Sequence, residues 1–460
     1  MKMKKIAFGF LILTLLSCNY VTQMIVPPTI TPVPPTATAT ATPTPTPVPL
    51  IPAFIPDQCT SVAPATVPPD IAVEPTLESN ITPEIPKNEQ LRIVREIGDI
   101  VQNVYVYPDF NGKDWSEVES RYRQKIEAGL DTPTFYSEMQ NMIDELQDEH
   151  SSFLSPLDVQ AAKAELKGDV EFVGIGVYGE SDLERGRLVV ISTFPESAAE
   201  YAGIQAHDSI LMVDGSPVFD EERNRLRGPE CSAVIVTVQS PGEEPREAML
   251  IRHSIAGNLK IETSLVATAD GSKIGYIFIP TFFDETIPPQ IEEALHEFGN
   301  LDGLILDVRM NGGGSSTVAN PILAFFASGR LGQFVSRAES RTLSVEADPI
   351  QNSQTVPLVV MVSEDTVSYG EIFAGILRDS RAAKITGETS LGNVEVLHGY
   401  DFEDGSKIWI ASETFHPANS DQNWEDTGII PDIEAFSAWD SFTFENDPSI
   451  AAAVTLLGHK

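Results

Sequence analysis

The chain has 460 residues, 42% of them hydrophobic, enough for two or three domains with separate cores. It carries 67 acidic against 30 basic side chains, a formal net charge of −37. A surface so acidic argues against nucleic acid as a partner and against electrostatic docking on anionic lipid.

Lys2, Lys4 and Lys5 precede an apolar run, Ile6 to Leu16, that is too short to span a bilayer comfortably. The following Leu15-Leu16-Ser17-Cys18 resembles a bacterial lipoprotein box. That resemblance implies a signal peptide over residues 1–18, lipidation of Cys18, and a membrane-anchored protein outside the cytoplasm. An ordinary secretory signal cleaved nearby is the alternative, and it too places the protein outside the cytoplasm. Residues 27–86 hold 17 of the 34 prolines, with Thr-Ala and Thr-Pro alternation. So little apolar content predicts an extended, semi-rigid stalk, and residues 19–88 read as a linker. Beyond Cys18 only Cys59 and Cys231 remain, one in the linker and one in a folded region, so no disulfide framework is expected. No His/Cys spacing of metal-binding type and no phosphate-cradling glycine loop occurs, so neither metal nor organic cofactor is expected.

From 89 to 160 the pattern is helical. Leu91, Ile93, Val94, Ile97, Ile100, Val101 and Val104 recur at three-to-four spacing, as do Phe135, Met139, Met142, Ile143 and Leu146. Residues 168–255 are β-rich. Phe172-Val-Gly-Ile-Gly-Val177 reads as a glycine-relieved strand and Leu188–Ile191 as another, and Ser197–Ile204 reads as a short helix closed by glycine. Asp208–Gly215 predicts a strand and turn, and Ala233–Val238 a core strand. The run Ala202-Gly-Ile, then Asp208, Ile210-Leu and Val213-Asp-Gly215 resembles the PDZ domains of bacterial envelope proteases.

Across 258–440 strands and helices alternate. Lys273–Ile279 and Gly303–Val308 are strand-like, Pro288–Gly299 is helix-like, and a further helix starts near Thr317. Alternation of this kind predicts an α/β core with a largely parallel sheet, followed by a tail over 441–460. Within the core, Val356–Ser363 reads as a strand, and Thr366-Val-Ser-Tyr-Gly-Glu-Ile-Phe-Ala-Gly375 opens a helix buried through Ile372, Phe373, Ile376 and Leu377. Ser368 therefore stands in the first turn, where free N–H groups and the positive dipole end meet. A serine there also serves as a plain helix cap. A second piece is the glycine loop Asp307-Val-Arg-Met-Asn-Gly-Gly-Gly314, where backbone amides can approach a ligand or simply form a tight turn. The third is Asn423-Trp-Glu-Asp-Thr-Gly-Ile-Ile-Pro-Asp432.

Helical domain, PDZ-like domain and α/β core, with the 307–314 loop and a serine three residues before Glu371-Ile372, resemble the carboxyl-terminal processing peptidases over roughly residues 90–435. The resemblance implies a ClpP/crotonase-like α/β core and a serine endopeptidase acting on unfolded or C-terminal polypeptide segments. Its PDZ domain would capture a substrate C-terminus as an added strand, received here by Phe172, Val173, Gly174, Ile175, Gly176 and Val177.

One departure matters. These enzymes commonly pair the serine with a lysine in a Gly-Glu-x-x-x-Gly-Lys stretch, whereas this chain reads Gly387-Glu-Thr-Ser-Leu-Gly-Asn393. An amide cannot serve as the base. The tricorn core protease branch instead uses a histidine ahead of its PDZ domain and a late glutamate. The matching positions are His150, in Asp148-Glu-His-Ser-Ser152, and Glu425. The resemblance thus implies a Ser368–His150–Glu425 triad, with an oxyanion held by Tyr369 N–H and by Gly313 or Gly314. His398 and His416 are rival bases, Lys384 and Lys407 are stand-in lysines, and Glu371 reads as a first-turn acid. Loss of catalysis, leaving a peptide-binding lipoprotein, is the alternative.

Overall fold

The computed structural model describes residues 50–59, 84–148, 150–160, 172–220, 223–255 and 258–459. Cys18, the signal segment and most of the proline-rich stretch lie outside them. Three helices come first: α1 (Lys87–Val104), α2 (Trp115–Ala128) and α3 (Thr132–Asp144). Asp114 and Asp131 cap the second and third through their carboxylates, as short polar side chains do at helix starts. Ile93, Ile97, Val101, Phe135, Met139 and Met142 form the shared core at the expected spacing. After α3 the chain enters strand β1 (Ser152–Leu154).

The β-rich region contains β2 (Phe172–Gly174), β3 (Val177–Asp182), β4 (Arg187–Thr193), α4 (Ala198–Tyr201), β5 (Ser209–Val213), β6 (Ala233–Gln239), β7 (Arg246–Ile251) and β8 (His253–Ile255). Five of them form an antiparallel sheet in the order β7-β6-β5-β4-β3. The single strand expected over 172–177 is broken in two, because Gly176 takes φ +84° and turns the chain. Its first half is not a free edge, as expected for a peptide-receiving strand. β2 pairs with β8, Ser254 opposite Val173, and Val173 O also accepts Gly228 N–H at 3.4 Å. The edge strands of the sheet among the described residues are β7 and β3, and of these β3 shares only Val177 with that expectation.

Two further expectations are corrected. Residues 50–59 are not a free stalk: Phe54 stacks on Tyr201 with ring centroids 4.3 Å apart. Cys59 and Cys231 form a disulfide across 172 residues. The Pro-rich composition around Cys59 conceals a docked segment. Closing so long a loop in the unfolded chain is worth at most about 5 kcal/mol.

The last region contains β9 (Thr263–Val266), β10 (Ile274–Phe278), α5 (Ile287–Phe298), β11 (Gly303–Asp307), α6 (Ser316–Phe326), β12 (Gly329–Val335), β13 (Ser340–Val345), β14 (Leu358–Val362), α7 (Tyr369–Arg381) and β15 (Lys384–Gly387). It continues with β16 (Val396–Asp401), β17 (Lys407–Pro417), α8 (Trp424–Thr427), β18 (Ile433–Glu434) and α9 (Pro448–Leu456). The main sheet runs β9-β10-β11-β14-β15-β18, parallel from β10 onward. Every residue of β10, β11 and β14 is buried, as strands covered on both faces must be. Leu306, Val360, Ile322, Phe373 and Ile376 pack between the sheet and α5–α7. Ile305, Val359 and Met361 face the other way, onto Trp439, Phe442, Ile450 and Ala453. The segment read as a tail is thus the second cover of the sheet.

That cover is pinned by charge. Arg309 Nη2 lies 2.7 Å from Asp307 Oδ2 and 2.6 Å from Asp447 Oδ2, all three residues being buried. Tyr276 Oη also donates to Asp307. The same segment reaches the β-rich domain. Trp439 Nε1 donates to Val190 O, His207 Nδ1 donates to Trp439 O, and Asp440 pairs with Arg185 and Arg187, each at 3.0 Å.

The remaining strands form a second sheet, β1-β17-β12-β13, with β16 also on β17. Ser152 pairs with Trp409, and Ile408 and Ile410 enter the helical core beside Phe153. The residues between α3 and β1, His150 among them, are therefore held against the α/β core.

Candidate active site

Ser368 sits between β14 and α7 with φ +55° and ψ −123°. A left-handed φ at a non-glycine residue costs on the order of 1–3 kcal/mol and persists only where the surroundings impose it. They do so here. Thr366 Oγ1 donates to Val308 O, Val367 N–H to Asn311 O at 3.0 Å, and Ser368 N–H to Glu371 Oε2 at 3.2 Å.

The 307–314 loop closes against this turn. Gly313 has φ +97°, and a Cβ on it would stand 2.8 Å from Ser368 Cβ, so only glycine fits. The Gly313 N–H is already given to Asn311 Oδ1 at 2.9 Å. Among the described residues, no acceptor is hydrogen-bonded to Tyr369 N–H or Gly314 N–H. Two of the three amides named from the sequence thus have no acceptor among the described residues.

Glu371, one turn into α7, is wholly buried and gathers the loop that replaces the lysine motif. Ser390 Oγ and Gly392 N–H donate to its Oε1, and Asn393 N–H donates to its Oε2 at 2.8 Å. Burial pushes its carboxyl up, against those hydrogen bonds, which pull it down. The residue is a structural hub rather than a mere first-turn charge. Asn393 is buried, with its Oδ1 unpartnered among the described residues.

The same loop leads to the histidine. Val394 N–H donates to Glu425 Oε2 at 2.7 Å, and Glu395 Oε2 lies 2.8 Å from His150 Nε2. Asp148 Oδ1 accepts the N–H groups of His150 and Ser151, and Ser151 Oγ accepts Ala411 N–H, which fixes the histidine backbone. Trp424, fully buried and stacked on Phe415, anchors the short helix that carries Glu425. Ligand-type atoms of His150, Glu395 and Glu425 all lie within 4.8 Å of one another, the arrangement a cation would need, although His150 Nε2 and Glu395 Oε2 already stand at ion-pair distance. His150 thus meets Glu395 directly, while Glu425 stands one carboxylate behind. Glu395 escaped the sequence reading, and its only signal was an acid in a strand-like stretch two residues after Asn393.

No hydrogen bond joins Ser368 Oγ to His150; the two are linked through Glu371 and the 390–395 segment. Such contacts are often long without substrate and tighten on binding. Of the rivals, His398 pairs with Glu413 at 3.1 Å and His416 contacts Thr414. Lys384 pairs with Asp432, and Lys407 with Asp401.

Comparison with known proteins agrees with this architecture. Peptidase family S41 matches residues 273–435, the tricorn protease C1 domain residues 86–148, and the PDZ domain residues 163–224. The chain is 28% identical over 366 residues to the chloroplastic C-terminal processing peptidase of Tetradesmus obliquus, covering 75% of this chain and 77% of that one. It is 27% identical to the carboxyl-terminal-processing protease of Synechocystis, covering 75% and 80%. The solved photosystem II D1 C-terminal processing protease superimposes with a TM-score of 0.53 at 26% identity, over 75% of this chain and 92% of that one. Strained serine turn, glycine loop and PDZ domain on an α/β core define a serine-type peptidase. The chain belongs to the PDZ-containing carboxyl-terminal processing peptidases of family S41.

Proposed function

We propose that this peptidase is a lipid-anchored, extracytoplasmic endopeptidase that cleaves unfolded or C-terminal polypeptide segments, with Ser368 as nucleophile and His150 as general base. The observation that carries the reading is Ser368 in a strained turn against the glycine loop, with the Tyr369 and Gly314 amides without an acceptor among the described residues. Ser368 Oγ attacks the scissile carbonyl while His150 takes its proton and returns it to the leaving amine. The amides of Tyr369 and Gly314 stabilise the oxyanion, and water then releases the acyl group. The family pattern gives the acid behind His150 as Glu425. The edge strand β3 receives the substrate tail through main-chain hydrogen bonds.

Full-length protein treated with a fluorophosphonate is expected to be labelled, with labelling lost in Ser368→Ala. Cleavage of an unfolded polypeptide should weaken when alternate residues of its C-terminal tail are N-methylated. Absent labelling and turnover, with peptide affinity retained, would establish the silent peptide-binding scaffold that Asn393 favours. Equal cleavage of the methylated tail would remove β3 from the reading.

The disulfide supports an oxidising compartment, and the Cys18 motif supports the anchor. A fatty-acid label on the chain in a bacterial host is expected to disappear in Cys18→Ala. Retained label in that variant, or none in the parent, excludes Cys18 as the anchor.

A further inference from the structure

We propose that Glu395 is the carboxylate that positions His150, and that Glu425 serves one step behind it by holding Glu395. The inference deepens the peptidase reading above and rests on it. Glu395 is buried at the centre of three groups: His150 Nε2 at 2.8 Å from its Oε2, Tyr107 Oη donating to its Oε1 at 2.5 Å, and a Glu425 carboxyl oxygen within 4.8 Å. Glu425 reaches no nitrogen of His150 within ion-pair distance; its Oε2 accepts the Val394 N–H instead.

Chemistry then fixes which carboxyl carries the proton. Two ionised carboxylates so close repel each other, and they attract only when one of them carries a proton to share. Glu395 has Tyr107 as a donor and the His150 imidazole at ion-pair distance, and is the oxygen pair better served as an anion. Burial opposes its charge, but the hydrogen bonds from His150, Glu425 and Tyr107 outweigh it and keep its carboxyl low. Burial and then Glu395 itself push the Glu425 carboxyl up. Other charges facing the cluster are Glu371 toward Glu425, Asp426 toward Tyr107, and Asp148 beside Tyr105. As Ser368 loses its proton, the imidazolium forms against the Glu395 charge, and Glu425 keeps that charge from swinging away.

The test compares Glu395→Gln with Glu425→Gln in full-length protein on an unfolded polypeptide. Glu395→Gln is expected to lower kcat by about 10³-fold with KM little changed, and to move the acid limb of the kcat profile to lower pH. Glu425→Gln, whose amide can still donate to Glu395, is expected to lose only about tenfold and to leave that limb in place. Glu395→Asp keeps the charge, so it should recover part of the rate with the wild-type limb, and it covers the case where Glu395→Gln folds poorly.

A stability readout is independent of activity. The Glu425 carboxyl titrates higher in the fold than in the unfolded chain. Its favourable contribution is therefore present at low pH and is lost as pH rises through the raised value. Wild-type Tm should fall relative to that of Glu425→Gln over that interval. Equal losses in the two Gln variants, or an unmoved acid limb in Glu395→Gln, overturn the proposal. If wild type takes no fluorophosphonate, the peptidase reading itself has failed; if it labels and Glu395→Gln labels equally fast, only this inference has.

Discussion

Replacing His150 with alanine is expected to lower kcat on an unfolded polypeptide by about 10⁴-fold while the protein remains folded. Ser368 is a weak nucleophile until a base accepts its proton, and Asn393 cannot do so. The fold should tolerate the change because Glu395 retains Tyr107 as a donor, and because the backbone near residue 150 is held by Asp148 and Ser151. Added imidazole should restore part of the rate by entering the vacated space, which a purely structural histidine would not allow. Turnover unchanged from wild type would remove His150 from the mechanism and leave Ser368 without a base near the 390–395 loop.

The second large effect concerns stability. Arg309→Met is expected to cost about 3–5 kcal/mol, because it strands Asp307 and Asp447 as buried carboxylates with no cation between them. Tyr276 Oη and nearby backbone amides would still bond to them, but they carry no positive charge. Arg309 also lies over Trp439 and Phe442, 5.3 and 5.0 Å from their ring centroids, so its loss loosens the cover on the sheet. Urea unfolding would report it; a midpoint shift equivalent to less than about 1 kcal/mol would show that the trio is not the pin described. Since Asp307 and Arg309 begin the loop that ends at Gly314, activity should decline before global unfolding.

Much of this was legible because the decisive signals are local. A buried strand, five residues of turn and an apolar-periodic helix locate Ser368, and three successive glycines mark the loop that must approach it. His150 and Glu425 were reached only through likeness to a family, since a histidine or glutamate in a polar loop carries no signal of its own. The misses share one cause: each depends on pairing between distant segments. Glu395 meets His150 because β1 pairs with β17, more than 250 residues further along, and β16 follows from the same hairpin. Cys59 finds Cys231 because Phe54 docks beside Tyr201, a contact that proline content does not predict. The 172–177 run looked continuous because alternation was read through two glycines, and a positive φ at Gly176 ended it.

The Cys59–Cys231 bridge also changes what a single cut in the chain would do. Cleavage anywhere in residues 60–83 would separate the N-terminal segment from the helical domain in sequence, yet the pieces would stay joined through Cys231. A nicked molecule would migrate as one species on a non-reducing gel and as two on a reducing one. Any membrane tether on the N-terminal side would thus survive such clipping, and shedding would require a thiol as well as a protease.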